Sequence, residues 1–352
     1  MTRVVRAPGT SDAAFAGSSR RLPAAIGLLL LARALAPGLR AEERGAGSVL
    51  TIAVSPGSTT VFAGTAAGGL YRSDDGGETW ALVEGPLAGL SVSAIAIDVA
   101  EPSVLCAGTN GAGTFRSADG GRTWAESTSG LANLFVEALA FDAGRAHGVL
   151  AATDGGVFRS ADGGQTWTDA SEGLPERTVT ALAIPPGGGA AFAGTKKSGV
   201  YRLDADGKWS AAATGLGRRA IRGLAICAAE PRTMYAGTES GLFRSANAGD
   251  AWTPVNSGLT STSILALAVD PASSSRAFAG TVTGLFRTSN SGTNWAAAET
   301  GGAGSFFNAV AFGPSGSVLL GGDGVIARSG DGGKTWTSKK LPPAPPAAED
   351  EE

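Results

Sequence analysis

Tryptophan recurs with a fixed beat. The chain has seven Trp, and each closes a copy of one segment: Trp80, Trp124, Trp167, Trp209, Trp252, Trp295 and Trp336, at intervals of 44, 43, 42, 43, 43 and 41 residues. Four copies end in Ser-x-Asp-x-Gly-x-Thr-Trp: Ser73 to Trp80, Ser117 to Trp124, Ser160 to Trp167 and Ser329 to Trp336. A repeat of this length cannot enclose a core alone, so its apolar faces must be buried against neighbouring copies.

Four short β signals fill each repeat. The first alternates and is rich in Ala, as in Val92 to Ile97 and Val136 to Phe141. The second ends in Ala-Gly-Thr, as in Phe62 to Thr65 and Phe278 to Thr281. The third reads Gly-Leu-(Tyr/Phe)-Arg-Ser, as in Gly69 to Ser73 and Gly241 to Ser245. The fourth begins at the Trp. Strands this short, separated by turn residues and without helical periodicity, predict an all-β meander. Small residues in the first strand suit the position nearest a crowded axis. Seven such units predict a single seven-bladed β-propeller of four-stranded antiparallel blades over residues 45–338.

The flanks differ in composition. In residues 1–44, Arg20 and Arg21 precede an apolar run from Leu22 to Ala36, broken only by Arg33, with small-x-small cleavage sites at Ala34–Ala36 and Leu39–Ala41. This reads as an export signal and leader, predicting a periplasmic or extracellular protein that meets membrane only through an uncleaved signal. Residues 339–352 form a Pro-rich tail ending in four acids, expected to be disordered. Removing residues 1–36 takes five Arg and one Asp from 28 basic and 31 acidic residues, leaving 23 and 30. That balance excludes a uniformly basic nucleic-acid surface. Cys106 and Cys227 lie three repeats apart and read as buried free thiols.

The Ser-x-Asp-x-Gly-x-Thr-Trp ending after Tyr-Arg-Ser resembles the Asp-box (BNR) repeat, over about 290 residues of this chain. That repeat is shared by sialidases, xyloglucanases, sortilin-type receptors and exported photosystem II assembly-factor-like propellers. The resemblance implies the propeller fold and an Asp-box distant from any active site. The residues themselves support a mechanical role. The acids Asp75, Asp119, Asp162 and Asp331 can accept backbone N–H groups across a Gly-Gly turn, and each Trp can fold its apolar face over that hairpin. Repeat four departs, with Leu203 for Ser and a shortened turn. Repeats five and six carry Asn247 and Asn290 in place of Asp. Blades 4–6 should therefore have the least regular outer hairpins.

Catalytic groups are scarce. His147 is the only His, so a His-based metal site or a Ser-His-Asp triad is not available. No cofactor or metal is expected; Gly301 to Gly304 joins two strands and opens no helix, so it is not a dinucleotide fingerprint. The Phe/Tyr-Arg-Ile-Pro motif of sialidases is absent. Arg72, Arg116, Arg159, Arg202, Arg244, Arg287 and Arg328 occupy one slot in every repeat, which predicts a hydrogen bond internal to the repeat.

Residues that break the repeat are more informative. On the face opposite the Asp-boxes, repeats four and five contribute Arg177, Lys196, Lys197, Arg218, Arg219 and Arg222. At the channel mouth the ring reads Leu50, Ser93, Glu137, Thr180, Arg222, Leu265 and Asn308. These residues predict a one-sided patch binding an acidic protein segment or another anion. The leading expectation is an exported, non-catalytic, monomeric scaffold for a protein partner. The alternative is a glycoside hydrolase acting on carbohydrate, with Glu137 paired to Asp154 or Asp323.

Overall fold

The computed structural model describes residues 47–343, apart from 303 and 305. The expected export leader and the acidic end fall outside the described residues. Those described form seven four-stranded antiparallel sheets, each made of four consecutive strands, and one short 3-10 turn at Pro314–Gly316. Blade 1 shows the pattern: Val49–Val54, Val61–Thr65, Leu70–Ser73 and Ala81–Leu82. The outer strand of blade 7 runs Thr337–Lys340, past the expected boundary at 338. Leu341 beyond it is 6% exposed, and the Pro342 carbonyl accepts the Tyr71 hydroxyl at 2.8 Å. Pairing of Val325 with Lys340 carries the ladder that far.

The core lies between the blades. Seven apolar clusters are each shared by two adjacent blades; one joins Phe62, Val83 and Leu87 of blade 1 to Ile95, Phe115 and Trp124 of blade 2. Ala-Gly-Thr follows from this packing. A Cβ on Gly108 would lie 2.4 Å from Val136 of the next blade, so only glycine admits that inner strand. The Thr that follows fastens the next turn, as Thr65 Oγ1 does by donating to the Gly69 carbonyl at 2.9 Å.

The Asp-box turns match their expected mechanics. Asp162 Oδ1 accepts the backbone N–H of Gln165 and of Thr166, each at 2.9 Å, and the Ser160 hydroxyl at 2.6 Å. Gly164 has φ +88°, and a Cβ there would meet Cys106 Sγ of blade 2 at 2.4 Å. Cys106 and Cys227 are buried free thiols, and burial pushes Cys106 up to about 12. Asn247 Oδ1 keeps two acceptor roles, receiving the Ser245 hydroxyl at 2.8 Å and Ala251 N–H at 2.9 Å. The shortened hairpin of blade 4 remains regular, pairing Tyr201, Arg202 and Leu203 with Ala211, Ser210 and Trp209.

The tryptophans do more than cover their own hairpins. The Trp167, Trp209, Trp252 and Trp295 indole N–H groups donate to Ser127, Ala170, Ala212 and Val255 carbonyls of the preceding blade, at 2.7–2.8 Å. Trp124 donates within its own turn to Gly121, yet packs on blade 1. Trp80 and Trp336 are only half-buried. The repeat arginines also differ from expectation. Arg116 Nε donates to Gly163 at 2.9 Å and Arg328 Nε to Gly76 at 3.0 Å, across the seam into the next blade's turn.

Trp295→Ala should cost about 3–5 kcal/mol in a urea unfolding measurement, and half-buried Trp80→Ala less. The Asp-box acids also make stability pH-dependent. Burial works to raise the Asp162 pKa, but hydrogen bonds from Ser160, Thr166 and Gln165 overcome it and hold the carboxyl at about 2. A free Asp titrates at about 3.9. The folded value is the lower one, so this contribution is present above about pH 4 and is lost as pH falls toward 2. Asp162→Asn should flatten the acid limb of a stability–pH curve; an unchanged limb would refute the linkage.

Candidate functional site

The blade connections and the turns between second and third strands share one face, and the channel mouth opens there. A recurring bulge builds it. In blades 1, 2, 4, 5 and 6 the inner strand slips by one residue against its neighbour, leaving Leu50, Ser93, Thr180, Arg222 and Leu265 unpaired. In blade 3 the slip falls at Glu137. In blade 7 Asn308 donates its N–H to Gly321 at 3.0 Å just before the inner strand. A bulged residue is freed from the ladder, so its side chain can change between blades without breaking the sheet. Hydroxyls there tie blade to blade: Thr180 Oγ1 donates to the Ile221 carbonyl at 2.5 Å, and Ser93 Oγ to that of Val136.

Glu137 is half-buried in this ring. Burial raises its carboxyl above the ordinary range and Asp154 adds to the rise, whereas Lys196 and Arg222 oppose it. Four sequence-nominated residues therefore meet electrostatically: Glu137, Asp154, Lys196 and Arg222. Asp323 does not join them. It sits at the seam of blades 7 and 1, where it accepts the Ser48 hydroxyl.

The basic patch is only partly free. Arg177 pairs with Asp169 at 2.7 Å. Arg222 pairs with Glu239. Arg219 donates to Ser240 Oγ at 3.1 Å and to the Leu216 carbonyl, and stacks 5.0 Å from the Phe243 ring centre. Glu176 accepts the Lys197 backbone N–H at 2.8 Å, which shapes the turn and leaves the Lys197 ammonium outside that bond. Lys196, Lys197 and Arg218 are exposed and make no ion pair among the described residues.

Two cavities meet at Arg222. One, of about 200 Å³, is lined by Thr180, Lys196, Lys197, Ile221, Arg222 and Glu239. The other, of about 190 Å³, reaches along the channel past Leu50, Leu265 and Asn308. Beside Glu137 the chain exposes Leu134 (40%) and Phe135 (49%), an apolar feature that the sequence reading missed. Its signal was the non-repeating Asn133-Leu134-Phe135 between blades. His147, the only His, lies on the Asp-box side, 3.7 Å from Asp98 and 3.9 Å from Glu101. Among the described residues no helix is long and apolar enough to cross a membrane, and no cluster of His, Cys, Asp and Glu could hold a metal ion.

These features define a seven-bladed Asp-box propeller, and comparison with known proteins gives the same class. The family model for the BNR/Asp-box repeat matches residues 71–82. No curated protein sequence matches. Among solved structures, the GH74 xyloglucanase from Xanthomonas campestris superposes with a TM-score of 0.72 at 19% identity, covering 86% of this chain and 56% of that one. This chain thus spans little more than half the enzyme's length. YCF48 bound to D1 peptide superposes at 0.61 with 15% identity, covering 81% and 93%. The extracellular domain of a one-component system, BT4673 from B. thetaiotaomicron, superposes at 0.64 with 16% identity, covering 80% and 38%. At these identities the likeness is one of fold.

The electrostatics of the mouth can be checked at one carboxyl. Arg222→Ala removes a cation that favours ionised Glu137 and should raise that pKa further; Asp154→Asn should lower it. Carboxyl-carbon NMR titration reads both, and no movement in either variant would show that these charges do not converge.

Proposed function

We propose that this protein is an exported, non-catalytic propeller whose channel-mouth face captures an acidic segment of a partner protein, as a binding or assembly scaffold. The observation that carries the reading is the cavity between blades 4 and 5. Lys196 and Lys197 stand free of ion pairs at its rim, Arg222 joins it to the channel, and exposed Phe135 offers apolar contact across the mouth. An acidic segment with an occasional aromatic or aliphatic side chain matches that mixture. Arg177, Arg218, Arg219 and Asn308 border the same face. Export rests on the leader segment, and likeness to an extracellular domain agrees with it. YCF48 binding a D1 peptide is a precedent for a propeller of this size holding a chain segment.

A second reading has its own observation. Glu137, its carboxyl raised by burial and by Asp154, has the character of a general acid beside a second carboxylate. The xyloglucanase likeness supports carbohydrate as the substrate class.

Replacing Lys196, Lys197 and Arg222 together by Glu should abolish capture of a fluorescent Asp/Glu-rich peptide while the far-ultraviolet spectrum stays native. Capture unchanged by the triple substitution would sink the scaffold reading. Turnover of xyloglucan by the native chain, lost in Glu137→Gln, would replace it with the hydrolase.

A further inference from the structure

The cross-seam arginine contact is made at four seams and missing at three, and at one of those three a cavity opens beside it. Arg116 and Arg328 bond glycine carbonyls in the next blade's turn, Arg287 does so at 3.4 Å, and Arg202 pairs with Asp250 of the next blade's turn at 2.7 Å. Arg72 is held by its own Asp74 at 2.7 Å. Arg159 of blade 3 should reach the turn of blade 4, but that turn is one residue shorter: Arg159 to Trp167 spans eight positions, Arg202 to Trp209 seven. The short turn also bonds to itself, with Asp204 N–H donating to Lys208 O at 3.0 Å and Lys208 N–H to Asp204 Oδ1 at 2.8 Å. Its carbonyls are withdrawn, and the Arg159 guanidinium makes no hydrogen bond or ion pair among the described residues. Arg244 is likewise bare, but its Nε is sealed inside the blade rather than opened onto a cavity.

A cavity of about 390 Å³ lies where the missing contact would be, within the size range of small-molecule sites. Its walls include Leu150, Ala191 and Leu203, and its charged groups are Arg145, Arg159 and Arg202 against Asp142 and Asp204. Arg145 is balanced by Asp142 at 3.5 Å, and Arg202 by Asp250. Arg159 is the one arginine of this wall with no ion pair among the described residues. Half-burial and nearby Arg145 press against its charge, lowering its pKa, although Asp142 opposes them; an incoming anion would offset the repulsion from Arg145.

We infer that the seam between blades 3 and 4 is a binding site for a small aliphatic monocarboxylate, held by the Arg159 guanidinium with its tail against Leu150 and Leu203. A guanidinium presents two parallel N–H donors that match one carboxylate. A phosphate dianion fits less well, because Asp142 and Asp204 repel the second charge. The site lies on the Asp-box side, away from the channel mouth, and is independent of what that mouth binds.

Calorimetric titration of the full chain with butyrate tests this, with 1-butanol and inorganic phosphate as comparisons. Butyrate should saturate one site, butanol should not bind, and phosphate should bind more weakly. Arg159→Met should weaken butyrate by roughly tenfold to a hundredfold, with Arg159→Lys between it and the native chain. Both variants are checked for native near-ultraviolet spectra, and Lys196→Glu should leave butyrate binding unchanged. Should Arg159→Met fail to fold, the Lys variant alone decides. Absence of saturable butyrate binding, affinity unaltered in a folded Arg159 variant, or phosphate binding more tightly than butyrate would each overturn the site.

Discussion

Everything in this molecule depends on apolar contact between neighbouring blades. No blade has an interior, since four short strands make one layer and a single layer buries nothing by itself. Burial comes from stacking, and several seams are stitched from both sides. The Trp of one blade lies over the preceding blade, in four cases hydrogen-bonded to a carbonyl there. At four seams the Arg of that preceding blade reaches forward into the same turn. The Asp-box holds that turn in shape, so its carboxylate works at a distance, by fixing the platform on which two blades meet.

Such a wheel has to close where its ends meet, and here it closes without a shared strand, by packing and by hydrogen bonds across the seam. Blade 7 is completed by its own fourth strand, not by one borrowed from the other terminus. Val49, Tyr71, Leu319, Ile326 and Leu341 form the seam's apolar cluster. Glu78 accepts both Arg328 and Lys339 around it, with Arg328 at 2.7 Å. Exposed ion pairs are individually weak, so the apolar cluster carries most of the closure.

The fold was legible because its period was carried by rare, large residues. Trp and the Gly-Gly turns occur at fixed phase, and strand boundaries followed from them. Direction of contact was not legible: one repeat looks the same whether its Trp seals its own hairpin or leans on the blade before it, and only coordinates distinguish the two. The mouth was read in part. Glu137, Arg222 and Lys196 stood out because they break the repeat; Lys196 and Arg222 line one cavity, and both charges act on Glu137. Asp323 stood out equally and lies elsewhere, because sequence deviation marks a blade but not a distance across the ring. The free charge on Arg159 left no trace at its own position, which matches every other repeat; its cause is a deletion in the blade that follows.

Self-contained blades have a topological consequence. The Gly47 carbonyl accepts Gly324 N–H at 3.1 Å, and the Gly324 carbonyl accepts Leu341 N–H at 3.2 Å, so the first and last described segments flank the same residue. A short linker could join them there, and new termini could be cut between any two blades without dividing a sheet. Because every sheet is built from four consecutive strands, the order in which the chain visits its blades is free to rotate.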